Sequence, residues 1–174
     1  MTPTLTISQA TSDADFAAAA DLIDSRDDNH HPLDRAALAK ARLLLLAWLD
    51  DTPVGCGAIK AGEGEVAELG YLVVASGYRR LGIGARLTQA RIDWASAQGI
   101  KLLWATVRAE NQASRENLLK AGWQFYGDYL SIRGTGNTIG WYVLPLMQGL
   151  DIQALMAGPI GNRTPVIQGS GEPD

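Results

Sequence analysis

The chain has 174 residues, 47% hydrophobic and 20% charged, with a net charge of −4. That length suits one domain with a sizeable core. No run reaches the ~18 consecutive apolar residues that would span a bilayer, and the acidic balance with scattered Lys and Arg argues against nucleic acid as a partner.

Thr4-Leu-Thr-Ile-Ser alternates apolar and hydroxyl residues and predicts a first strand. Ser12 or Asp13 can cap a helix through Phe16, the alanines 17–20, Leu22 and Ile23. The polar stretch 24–32 reads as a loop, and a short helix is expected from Leu33 to Lys40. Leu43 to Leu49, the turn Asp50-Asp-Thr-Pro, and Val54 to Ile59 predict a β-hairpin. Val66 to Val74 is apolar on both faces apart from Glu68, as in a central strand. A helix over Gly82–Gln98 carries a stripe of Ile83, Leu87, Ala90, Trp94 and Ala97, and Gly99 stops it. Ile100 to Val107 is a further strand, Asn111 caps a helix to Lys120, and Trp123–Ile132 and Ile139–Leu146 are the last two strands. The order predicts a mixed α/β domain over residues 1–147. Residues 148–174 read as a tail, with at most a turn or two of helix at 151–157 and a partly disordered end.

Composition adds little about location beyond two hints. The start Met1-Thr-Pro-Thr-Leu-Thr-Ile lacks the pattern of a secretion signal, and the one cysteine, Cys56, cannot close an internal disulfide. Both point to the cytoplasm, with no membrane association.

Ala75-Ser-Gly-Tyr-Arg-Arg-Leu-Gly-Ile-Gly-Ala joins a strand to a helix. Gly82 and Gly84 let main chain approach a ligand with no Cβ in the way, and a helix start offers unpaired N–H groups to an anion. Arg79 and Arg80 add positive charge, so a pyrophosphate fits. A Gly-x-Gly alone is equally compatible with a plain loop carrying two solvated arginines. The mononucleotide loop requires Gly-Lys-Ser/Thr, and the dinucleotide fold requires a third glycine where Leu87 stands, so neither is present.

The segment Arg79-Arg-Leu-Gly82-Ile-Gly84 resembles the Arg/Gln-x-x-Gly-x-Gly/Ala hallmark of the GNAT superfamily of N-acetyltransferases. Asn111-Gln-Ala-Ser-Arg-Glu-Asn-Leu-Leu-Lys-Ala-Gly122-Trp123 resembles that family's second motif. The resemblance is strong over about 60 residues and implies a mixed, mostly antiparallel sheet of about seven strands with about four helices. It also implies that central parallel strands splay to hold acetyl-CoA as co-substrate, with no metal. By the same resemblance, the main chain of Leu72, Val73 and Val74 pairs with pantetheine. The N–H groups of Arg79, Arg80, Leu81, Gly82, Ile83, Gly84 and Ala85 hold the pyrophosphate, and Asn111 contacts the cofactor. The expected activity is acetyl transfer to a primary amine of a small molecule or peptide.

Transfer needs a deprotonated amine, an oxyanion donor and a proton for the thiolate. Glu68 is the candidate base: it stands in an apolar strand, eleven residues before Arg79, as in the histone-acetylating branch of the family. The alternatives are a solvent-facing glutamate or one paired with a nearby Lys or Arg. The resemblance places the general-acid tyrosine at the position of Leu118, which cannot donate a proton. Tyr126 and Tyr129 are substitutes that read equally well as packed aromatics. This departure motivates a second reading, a module that binds acetyl-CoA without turnover. His30 and His31 read as loop residues, because no spaced ligand set accompanies them. Cys56 reads as a small buried hydrophobe and the five tryptophans as packing. Asp24, Asp27 and Asp28 hint at a cationic acceptor, and a solvated acidic loop explains them equally well. Homodimerisation through the terminal strands is open to such a fold, and nothing in the sequence selects it.

Overall fold

The structure, a computed structural model, describes residues 2–26 and 32–167. The chain divides into two compact units, Met1–Ile100 and Lys101–Asp174. The described residues carry seven strands and five helices.

In the first unit, β1 (Leu5–Gln9), β2 (Leu43–Leu49), β3 (Thr52–Ile59) and β4 (Val66–Val74) pair antiparallel in that order. Helix α1 (Asp13–Asp24) starts at Ser12, whose hydroxyl accepts from the Asp15 N–H while the Asp15 carboxylate accepts from the Ser12 N–H. The expected helix at 33–40 is shorter. It spans Arg35–Ala39 (α2), because the Asp34 carboxylate accepts from the N–H groups of Ala36 and Ala37 and so fixes the start.

Side chains alternate across the strands, which gives this sheet two covered faces. Leu44, Leu46, Cys56, Ala58 and Val73 pack with Ala19, Ala20, Ile23 and Leu38 of α1 and α2. Helix α3 (Ile83–Ala97) lies on the opposite face, where β3 carries Gly55 and Gly57. A Cβ at Gly55 would stand 3.2 Å from Ile83 Cγ2 and 3.3 Å from Leu87 Cδ1. One at Gly57 would stand 3.1 Å from Arg91 Nε. The seam is therefore Ile83, Leu87, Arg91 and Ala95, all buried. This corrects the predicted stripe: Ala90, Trp94 and Ala97 are less buried, and the row with four-residue spacing includes a charged side chain that a hydrophobicity pattern passes over.

The second unit holds β5 (Leu102–Arg108), α4 (Gln112–Lys120), β6 (Gln124–Leu130), β7 (Thr138–Pro145) and α5 (Ile152–Ile160). Strand β7 pairs antiparallel with β5 on one side and β6 on the other. On one face Trp104 stacks on Trp141 with centroids 4.5 Å apart, and Tyr129 meets Trp141 edge-on at 5.9 Å. Helix α5 is the element beyond the expected four. Asp151 caps it, Met156 is buried, and the segment after it returns to the sheet. The Arg163 guanidinium lies 4.9 Å from the Trp141 ring centre. Leu130 N–H donates to Thr164 O, Val166 N–H donates to Asp128 O, and Pro165 bridges Tyr129 along the outer edge of β6. The region read as a tail is thus structured through 166, while the disorder expected at its end falls on 168–174, outside the described residues. No helix among the described residues is long and apolar enough to cross a membrane.

The narrowness of the α3 seam is testable. Gly55→Ala should lower stability by about 1–3 kcal/mol through overpacking against Val73 O, Ile83 and Leu87. Chemical denaturation measures this, and an unchanged midpoint would mean that α3 retreats freely.

Candidate functional site

The end of β4 is irregular. Ala58 pairs with Gly70 and Cys56 with Val73, so Tyr71 and Leu72 together oppose the single residue Gly57. This is a β-bulge, which bends its strand and re-aims the groups that follow. Tyr71 takes the left-handed conformation, with φ 54°, at a cost of about 1–2 kcal/mol for a residue with a Cβ. Beyond it Leu72 is 44% exposed, whereas Val73 turns into the core.

Two buried side chains hold the peptides on either side of Tyr71. Arg91, 2% exposed, donates from Nη1 to Ala58 O at 3.1 Å and to Gly70 O at 3.3 Å. Its Nε donates to Leu87 O and its Nη2 to Thr88 Oγ1. Burial lowers its pKa to about 10, so the guanidinium stays charged at neutral pH. Its hydrogen bonds among the described residues go to carbonyls and one hydroxyl. From β3, the Cys56 thiol donates to Tyr71 O at 3.4 Å. Burial pushes that thiol up to about 12, so it remains a donor and is no nucleophile.

Glu68 lies two residues before Gly70 on the same face as Lys60. The Lys60 ammonium is 3.0 Å from Glu68 Oε1, with the glutamate side chain 19% exposed. A Cβ on Gly70 would collide with the Lys60 side chain, so that glycine lets the lysine cross the strand. The same ammonium stands 5.2 Å from the Tyr71 ring centre. Glu68 is thus paired with a neighbouring lysine on its own face of the sheet.

After Val74 the chain turns on Tyr78 N–H to Ala75 O, and Arg79 Nε donates to Val74 O at 3.4 Å. These contacts bring the end of β4 and the arginine-glycine loop together. Arg80 has φ 67° and Gly77 φ 91°. Gly82 is the N-cap of α3 rather than part of its first turn, with φ 76° and no side-chain cap on the helix start. The first N–H groups of α3 therefore lack the side-chain acceptor that Ser12, Asp34 and Asn111 supply elsewhere. A Cβ at Gly82 or Gly77 would meet nothing within 4 Å, and one at Gly84 only Val74 Cγ2 at 3.7 Å. This open, glycine-lined helix start, flanked by exposed Arg79 and Arg80, suits a diphosphate.

The remaining sequence candidates fall elsewhere. Asn111, in the second unit, uses its Oδ1 to accept from Ser114 N–H as the cap of α4. Leu118 is an interior residue of α4, and Trp123 N–H donates to its carbonyl. Tyr129 is engaged with Trp141, and burial raises its pKa. Asp24 shares Arg35 with Asp21, which offsets the acidic character expected there. Asp27, Asp28, His30 and His31 lie outside the described residues. Among the described residues no group of three or more His, Cys, Asp or Glu could hold a metal ion. Sequence reasoning missed Arg91, Lys60 and the glycines of β3. The signal for the first was its four-residue spacing from Leu87 and Ala95.

The structure resembles the ribosomal-protein-S18-alanine N-acetyltransferase from Escherichia coli, with TM-score 0.69 and 20% identity, covering 85% of this chain and 97% of that one. It resembles the NatC complex bound to Gag peptide and CoA, with TM-score 0.72 and 19% identity over 82% of this chain and 99% of that one. It also resembles a GNAT family acetyltransferase from Elizabethkingia anophelis with acetyl-CoA bound, with TM-score 0.68 and 18% identity over 82% and 98%. At such identities the likeness concerns the fold. No curated protein sequence matches significantly. The model of the acetyltransferase (GNAT) family matches residues 11–123, well over half of the chain, and the chain therefore belongs to the GNAT acetyltransferase family.

Proposed function

We propose that this protein transfers an acetyl group from acetyl-CoA to a primary amine by direct attack on the thioester. The observation that carries the reading is the α3 start, where Gly82 supplies no cap and Gly84 no Cβ. In this reading the N–H groups from Arg79 to Ala85 hold the pyrophosphate, and the main chain of Leu72, Val73 and Val74 pairs with pantetheine as an added strand. Asn111 contacts the cofactor. The amine nitrogen forms a bond to the thioester carbon, the carbon–sulfur bond breaks, and the amine loses a proton. A backbone N–H of the β4 bulge supports the developing oxyanion.

Glu68 takes the amine proton, directly or through a water molecule. It starts from a pairing in which its Oε1 lies 3.0 Å from the Lys60 ammonium. The same pairing means that the proton competes with an ammonium already in place. With Leu118 at the position of the usual acid, the thiolate leaves without a dedicated donor, which is tolerable for a thiol with an ordinary pKa of about 8.5. A peptide or protein N-terminus is one acceptor class. It is supported by structural neighbours named for a ribosomal-protein alanine and for a bound peptide. Small amines are the other class. The single cysteine and the donor fit the cytoplasm.

Leu118 together with the Lys60–Glu68 pair also supports the second reading, a module that binds acetyl-CoA without turnover. A thiol-release assay over amines, polyamines, aminoglycosides and peptide N-termini separates the two. Turnover with any acceptor supports transfer, and saturable CoA binding without turnover supports the module.

Two variants sharpen the reading. Gly84→Ala should leave the thermal midpoint unchanged or higher, since its Cβ meets only Val74 at an ordinary distance. Calorimetry should nonetheless show CoA affinity falling about tenfold or more, the loss of ~1.4 kcal/mol. Undiminished affinity would remove the pyrophosphate from this helix start. Glu68→Gln should lower kcat/KM about 10²- to 10⁴-fold and flatten the acid limb of the pH–rate profile. An unchanged profile removes Glu68 as the base.

A further inference from the structure

We infer that Arg91 is a positioning residue, which fixes the β4 bulge and thereby aims the Leu72 N–H that meets the developing oxyanion. The inference rests on the acetyl-transfer reading and goes beyond it to the group that sets the donor's direction.

Arg91 is an unusual occupant of its place. The other residues of the α3 seam, Ile83, Leu87 and Ala95, are apolar, and a guanidinium among them must shed its hydration. It is compensated by neutral acceptors: Ala58 O, Gly70 O, Leu87 O and Thr88 Oγ1. The chain also clears space for it, since Gly57, the residue facing the bulge, would bring a Cβ to 3.1 Å of Nε. An apolar residue would fill a seam beside an alanine or leucine with no such provision, so the location of the donors is what singles out Arg91.

The donors meet the bulge where its conformation is decided. Gly70 O belongs to the peptide that enters Tyr71, and Tyr71 O to the peptide that leaves it. Arg91 holds the first from the α3 side and the Cys56 thiol holds the second from the β3 side. With both flanking peptides restrained, Tyr71 is kept at φ 54°. A trans peptide points its N–H opposite to its C=O. Since Tyr71 O is turned toward Cys56, Leu72 N–H is turned away from Cys56, on the residue where the strand becomes exposed. An oxyanion donor is effective only when its direction is set in advance.

Arg91→Met keeps the bulk and removes the donors, and Arg91→Lys restores one. The wild type and both variants are compared by thermal midpoint, CoA affinity by calorimetry, and separate kcat and KM with the best amine found. The expected result for Arg91→Met is CoA affinity within about threefold of wild type and a kcat lower by about 10- to 100-fold. Arg91→Lys recovers part of that kcat. A purely structural role would lower activity only in step with the folded fraction and would give no rescue by lysine, and either result overturns the inference. If Arg91→Met does not fold, Cys56→Ala, which releases the other restraint, should lower kcat several-fold at preserved CoA affinity, and an unchanged kcat overturns the inference. If the wild type turns over no amine, the transfer reading fails on its own. The clamp is then read from the Tyr71 and Leu72 amide resonances of Arg91→Met: shifted or doubled signals uphold it, and wild-type signals overturn it.

Discussion

Gly55 and Gly57 let helix α3 settle directly onto the backbone of β3, and the first unit's chemistry follows from that closeness. A helix held farther off by two side chains could not bring a guanidinium to Gly70 O, nor start at the end of β4 with Arg79 bonded to Val74 O. The same four-residue row that packs Ile83 and Leu87 delivers Arg91 two turns deeper. The packing of the first unit and the geometry at the end of β4 are thus set by one helix seated at one depth.

The bulge illustrates how opposing terms are resolved locally. Placing Tyr71 in the left-handed region and burying an arginine are each unfavourable alone. Combined, they satisfy one another: the cation finds carbonyl oxygens, and those carbonyls are held in an orientation the backbone would otherwise leave. The Lys60–Glu68 pair on the other face shows the same economy, since the missing Cβ of Gly70 admits the lysine stem across the strand.

Much of this was legible in the sequence. The bounds of β2 and β4 coincide with apolar runs ended by turn residues, that of β4 interrupted by Glu68, and Asn111 and Gly82 sit at the helix starts where their chemistry placed them. The illegible features depend on register. Nothing in Gly-Tyr-Leu-Val announces a non-glycine residue with positive φ, because the bulge exists only relative to Gly57 on the neighbouring strand. The Lys60–Glu68 pair likewise requires knowing which residues face each other across β3 and β4. Arg91 was hidden because hydrophobic patterning counts a charge as solvent-facing. Composition anticipated helix at 151–157 but not the order of 158–166, for a related reason: a glycine- and proline-rich stretch can still be held by contacts with residues far earlier, as Arg163 is by Trp141.

That last stretch also governs how copies of the chain can meet. The outer rim of β6 would be a natural place for self-recognition, since an uncovered strand invites another to extend the ladder. Residues 164–166 already occupy it, consuming Leu130 N–H and Asp128 O. Association along this rim must first peel the segment away and unseat the cation from the indole. Assembly through β6 is therefore an exchange of one partner for another, conditional on a few residues at the far end of the polypeptide.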